Sequence, residues 1–204
     1  MAGLEDCSRG IARSADGGKT WQLQETRVPG VSYGVSVPWD VLSLASAPSR
    51  PLRVYAITIN NLLRSDNGGI TWTQNGGIRG DHRALVAVED AIAVHPRDSN
   101  LMLASSLFVS PSEGIASLYR SVDGGATWMP GDAGIEGTIR GLTFSADGTE
   151  AVAAGDEGVF RSTDGGLNWQ RVEGGPAGAR AIAFQGNGIL RVGTNEGVFS
   201  SVAQ

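Results

Sequence analysis

An all-β fold of repeated four-stranded antiparallel sheets is what the sequence predicts, and three observations predict it. A nine-residue pattern occurs four times, as RSADGGKTW (Arg13 to Trp21), RSDNGGITW (Arg64 to Trp72), RSVDGGATW (Arg120 to Trp128) and RSTDGGLNW (Arg161 to Trp169). The serines of these boxes, Ser14, Ser65, Ser121 and Ser162, lie 51, 56 and 41 residues apart. Short strands recurring at periods of roughly 40 to 55 residues are the mark of propeller blades. Thirty glycines in 204 residues fall mostly in turn clusters between apolar runs, which suits many short strands and tight reversals. The predicted fold is a β-propeller of four-stranded antiparallel blades, with about four to five repeat units, or a section of a larger propeller.

The third complete unit shows the order of elements within a blade. Gly141 to Phe144 reads as strand A, Ser145 to Gly148 as a turn and Ala151 to Ala154 as strand B. A second turn, Asp156 to Gly158, leads into Val159 to Arg161 as strand C, and Trp169 to Val172 follows the box as strand D. Leu44-Ala45-Ser46, Ile92-Ala93-Val94 and Ile182-Ala183-Phe184 are the A strands of other units. Their small apolar residues fit an innermost strand covered by neighbouring blades. AGDEGVFRS (from Ala154) matches GTNEGVFSS (from Gly193), a degenerate fifth copy 39 residues on. No segment carries a helical period. The chain is expected to form one body over 1–204 with a loose N-terminus at 1–9. Units should end near 24, 75, 131 and 173, with an incomplete last unit at 179–204.

The box is predicted to be the C–D hairpin turn. Its paired glycines supply the positive φ of the reversal. The aspartate accepts N–H groups of its own turn. Hydroxyls tie the strand ends, and the tryptophan buries a large ring between blades. Asp16, Asn67, Asp123 and Asp164, with Trp21, Trp72, Trp128 and Trp169, are therefore read as structural. Asn67 in place of aspartate and Asn168 in place of threonine keep the hydrogen-bonding capacity. Arg13, Arg64, Arg120 and Arg161 recur one per unit and read as solvated strand residues rather than a cluster.

The pattern Ser-x-Asp-x-Gly-x-Thr-Trp resembles the Asp-box, or bacterial neuraminidase repeat, over nearly the whole chain. The resemblance implies a β-propeller. It leaves activity open, because such boxes occur in sialidases, xyloglucan-cleaving glycoside hydrolases, sortilin-type receptors and photosystem II assembly factors. AIAVHPRDSNLMLAS (from Ala91) and LASAPSRPLRVYAIT (from Leu44) look most like the glycoside-hydrolase and sortilin-like groups, with Pro48 and Pro96 in the A–B turns. The Arg-Ile-Pro motif of sialidases is absent.

Bulk properties narrow the partners. A net charge of −5 argues against nucleic acid and anionic membranes, both of which need a basic footprint. A single cysteine, Cys7, gives neither a disulfide framework nor a metal cluster, and His82 and His95 make no metal motif. No cofactor or metal is expected. The start MAGLEDCSRG lacks the regions of a secretory signal, so the expected location is the cytoplasm, or outside the cell if the chain is cut from a longer precursor.

Recognition is expected on the face formed by the D–A and B–C connections, since loops on a rigid scaffold carry function. The long D–A connections supply Tyr33, Trp39 and Asp40, then Asp81, His82 and Arg83. The B–C insertion supplies Glu113, and a short B–C turn supplies Asp156 and Glu157. These are the candidate ligand-binding residues, as aromatics beside carboxylates suit sugars. No residue is assigned to catalysis. His95, before Pro96 in an A–B turn, reads as structural. Asp90, Arg140 and Arg180, with Leu42 the fourth, fall at equivalent positions of strand A and are expected to rim the central channel, with mutual ion pairing. The reading is a non-catalytic scaffold for carbohydrate or a protein partner. The alternatives are a glycoside hydrolase, or a fragment of one, and an assembly-factor-type interaction module. Open blade edges imply a larger ring or a homodimer, unless Thr20 to Gln24 pairs with Val198 to Val202 and closes four blades.

Overall fold

The computed structural model describes residues 11–24, 41–58, 62–75, 92–106, 116–185 and 188–201. Every element among them is a strand. A two-stranded sheet joins β1 (Ile11–Arg13) to β2 (Gln22–Gln24). The first complete blade holds β3 (Val41–Ala47), β4 (Arg50–Thr58), β5 (Leu62–Ser65) and β6 (Thr73–Gln74). The second holds β7 (Ile92–Val94), β8 (Met102–Ser105), β9 (Leu118–Ser121) and β10 (Met129–Pro130). The third holds β11 (Ile139–Phe144), β12 (Ala151–Gly155), β13 (Gly158–Ser162) and β14 (Gln170–Arg171). A three-stranded sheet follows, with β15 (Ala179–Phe184), β16 (Leu190–Thr194) and β17 (Gly197–Ser200). All named strand pairs are antiparallel meander neighbours, as the three-turn reading of the sequence requires.

The cores lie between blades. Ile11 of the first unit packs with Ala56, Leu63 and Trp72 of the next. Tyr55, Ile57 and Leu62 pack with Ile92, Val94 and Met102. Leu103 and Leu118 join Ile139, Leu142, Phe160 and Trp169. Val152, Ala154 and Val159 join Ala179 and Val192. Each valine, leucine, isoleucine or methionine so covered contributes about 1.5 to 3 kcal/mol. The A strands β3, β7, β11 and β15 follow one another in contact along the inner edge. The blades thus stand in an open series, a partial propeller. β2 pairs with β1, and its pairing with β17, the step that would close four blades, is not formed.

Candidate functional site

The box turns organise one end of every blade. In the third box Ser121 Oγ donates to Asp123 Oδ1 (2.8 Å) and accepts from Gly125 N (2.8 Å), while Asp123 Oδ1 accepts from Thr127 N (2.9 Å). The first, second and fourth boxes repeat this. Asn67 makes both bonds, donating from Nδ2 to Thr71 Oγ1 (2.7 Å), and Asn168 Nδ2 replaces the threonine hydroxyl on Asp164 (2.8 Å). Gly124 and Gly125 hold φ of 72° and 86°. Gly124 N also donates to Asn100 O (2.9 Å) and Gly68 N to Leu52 O (2.7 Å), so boxes and A–B turns share one end of the blade.

Electrostatics keep these carboxylates charged. Hydrogen bonds from the Thr20 side chain and backbone, then from Ser14, hold the Asp16 carboxyl at about 2. Burial alone would raise Asp164, but bonds from Asn168, Ser162 and Leu167 outweigh it and leave the group well below the carboxylate range. Both are committed to their turns.

Two expectations about this end need correction. Box tryptophans do not all lie between blades: Trp72 and Trp169 are buried, Trp128 is half-buried and Trp21 is 64% exposed. Trp72 is covered by Ile11 and Trp169 by Leu103 and Leu118, each from the unit before it. The box arginines also do more than meet solvent. Arg120 Nε donates to Gly165 O of the next box (2.8 Å), and Arg64 pairs with Asp66 (2.6 Å), which also binds the buried Arg53 (2.7 Å). His95 is structural as read, with Nδ1 accepting from Arg97 N and Asp98 N and Nε2 3.0 Å from Gly148 O of the next blade. An apolar cavity of about 310 Å³ at this end runs between the A strands past Pro48, Pro96 and Phe144. Of its polar lining, Ser145 Oγ is spent on Asp147 (2.7 Å) and Glu150.

The opposite end gathers the B–C turn and the D–A connection. Asp156 N donates to Thr138 O (3.1 Å), and Gly178 N donates to Asp156 O (3.0 Å). Here the ladder of strand A breaks in the same place in three of the four described A strands, β3, β11 and β15. The register shifts between Val41 and Ser43, between Ile139 and Gly141, and between Ala179 and Ala181. The residues set at these bulges are Leu42, Arg140 and Arg180. A bulge re-aims its side chain. Arg140 turns to Asp156 and binds it in two places, Nε to Oδ1 (2.8 Å) and Nη2 to Oδ2 (3.0 Å). The Arg140 bond first, and then the charges of Arg140 and Arg180, hold the Asp156 carboxyl below the usual range. Arg180 is exposed and has no hydrogen-bonded acceptor among the described residues. Among the described residues Arg140 thus pairs from strand A to the B–C turn, while Asp90, the acidic member of the expected rim, lies outside them.

Of the residues singled out in the sequence, Asp156 and Glu157 stand together at this end, with Glu157 exposed and its carbonyl accepting from Arg171 (2.6 Å). Tyr33, Trp39, Asp40, Asp81, His82, Arg83, Glu113 and Asp90 lie outside the described residues. Asp132, which the sequence did not single out, belongs to the same end, with Oδ2 accepting from Ser117 N (2.9 Å) and Oγ (3.4 Å). Its position just after strand D, at the foot of the B–C insertion, was the available signal.

Repeated boxes with this bonding, on successive four-stranded blades, define a protein of the Asp-box propeller class. The BNR/Asp-box repeat matches at residues 12–23 and 160–171. No curated protein matches the chain by sequence. Among solved structures, the chain is similar to an ancestral GH74 enzyme at 20% identity, over 91% of this chain and 24% of that one, with a TM-score of 0.64. It is similar to the GH74 enzyme of Niastella koreensis at 20% identity, over 79% and 28%, with a TM-score of 0.59. YCF48 bound to D1 peptide matches at 18% identity, over 86% and 58%, with a TM-score of 0.59. These likenesses fix the fold, and the chain spans about a quarter of the GH74 enzymes and little over half of YCF48.

Proposed function

We propose that the chain is a non-catalytic binding scaffold whose loop end takes an acidic segment of a protein partner. The observation that carries this reading is the repeated bulge at the start of strand A, which sets Arg140 and Arg180 at equivalent places. One arginine is spent on Asp156, and the other, Arg180, stands exposed with no hydrogen-bonded acceptor among the described residues, which leaves one guanidinium open to a partner's carboxylate. A guanidinium recognises a carboxylate through paired hydrogen bonds. YCF48, a propeller of similar fold, has been seen with a bound peptide, which supports a protein partner over a sugar. Tyr33, Trp39, His82 and Arg83 would extend the same contact.

The glycosidase reading draws support from the likeness to GH74 enzymes. Such chemistry needs two opposed carboxylates, one of them free to exchange a proton. Asp156 is pinned to Arg140 as an anion, which disfavours it as the proton-donating acid of such a pair. The test is a peptide array spanning acidic and neutral sequences, run beside digestion of xyloglucan and a sialoside. The expected result is retention on Asp- and Glu-rich peptides, weakened by salt, and no release of reducing sugar. Turnover of either glycan would overturn the reading.

A further inference from the structure

The two ends of the blade series carry the two halves of one interface. The residue three places before each box serine meets the following blade around its box tryptophan. Ile11 shares a buried cluster with Trp72, Leu62 packs in the cluster that Trp128 joins, and Leu118 lies with Trp169. In the last two units that position is Val159 and Val198, each within the tetrapeptide Glu-Gly-Val-Phe. Val159 is 2% exposed, covered by Ala179 and Val192, whereas Val198 is 70% exposed. At the other end Trp21 is 64% exposed, against 3% for Trp72. The Trp21 ring is nevertheless held. Its Nε1 donates to Gly18 O (3.1 Å), as Trp72 Nε1 does to Gly69 O (3.1 Å). The first box thus presents its tryptophan with the same tether that Trp72 has when it packs near Ile11. Leu23 beside it and Phe199 beside Val198 are exposed as well.

We infer that Trp21 of one copy packs over Val198 of a second copy, joining two copies head to tail. The contact continues an interface the chain already builds between its own blades. Among the described residues β2 pairs with β1 and both Trp21 and Val198 stay exposed, and a second copy of the chain carries the complement of each. Neither surface carries a charge at these four positions, and apolar faces of this kind are normally covered. Two different patches meet, so the contact is heterologous and two copies close into a ring by forming it twice. The inference is independent of the partner proposed for the loop end.

Light scattering on the 204-residue chain tests it, with Trp21→Glu, Val198→Glu and an equimolar mixture of the two. Both residues are exposed in the single chain, so neither change removes a buried contact within it, and circular dichroism checks that each variant keeps its β spectrum. The wild type is expected at twice the monomer mass and each variant alone as a monomer. The mixture should regain a dimer, because one variant keeps an intact Trp21 and the other an intact Val198. A monomeric wild type would overturn the inference. So would a Val198→Glu variant that still dimerises, or a mixture that stays monomeric.

Discussion

The two ends of each blade are built on opposite plans. At the box end one nine-residue pattern recurs, its serine, aspartate and threonine are paired within the turn, and positive-φ glycines fix the reversal. At the loop end the connections differ in length and composition from unit to unit, and the bonds that form there, such as Arg140 to Asp156, cross between segments. The comparison separates two tasks. The repeated end and the blade faces hold the fold, while the variable end offers charge to the outside.

That division predicts its largest effect at a blade face. Trp169 is buried against Leu103 and Leu118, and its Nε1 donates to Gly131 O of the preceding blade (2.8 Å). Trp169→Ala is expected to cost about 3 to 5 kcal/mol in denaturant unfolding. Next come the box glycines, which separate backbone strain from packing. A Cβ on Gly18 meets only the Trp21 ring at 3.7 Å, so Gly18→Ala should cost only the left-handed backbone, about 1 to 2 kcal/mol. On Gly125 it would lie 2.5 Å from Leu62 of the neighbouring blade, adding about 1 to 3 kcal/mol of overpacking. Equal losses in the two variants would break the claim that the box is also an interblade contact.

A smaller effect is expected with acid. Folding holds Asp16 and Asp147 at about 2, against an ordinary carboxylate value of 3.8. A depressed folded pKa contributes stability in full above the unfolded value and loses it as the pH falls through the folded one. Melting temperature should therefore be insensitive to carboxylate titration above about pH 4 and fall from there towards about pH 2. Asp16→Asn, which copies the natural Asn67, should flatten part of that fall. An unchanged acid profile would show that the first box contributes nothing to the folded state.

The legible part of the molecule was the part whose interactions are local in sequence. The bonds among the box serine, aspartate and threonine lie within the pattern itself, so the roles of Ser121, Asp123 and Thr127 could be assigned from spacing alone. Strand order followed from alternating turns. What could not be read depends on neighbours. Trp21 and Trp72 sit in the same motif, yet Trp72 is buried in a cluster with Ile11 of the preceding unit while Trp21 is exposed, a difference set by neighbours distant in sequence. Arg140 and Asp156 were each singled out, but for different roles. Their pairing spans 16 residues and relies on a bulge that no local residue preference announces.

The most direct test of the division is a double comparison, Arg180→Glu beside Asp123→Ala, measured for melting temperature and for retention on the acidic peptides of the array. Arg180→Glu should lose the peptides and melt as the wild type does. Asp123→Ala, which removes the acceptor for Ser121 Oγ and Thr127 N, should melt lower and bind unchanged. A stable Asp123→Ala that no longer binds, or an Arg180→Glu that binds as well as the wild type, would contradict the account.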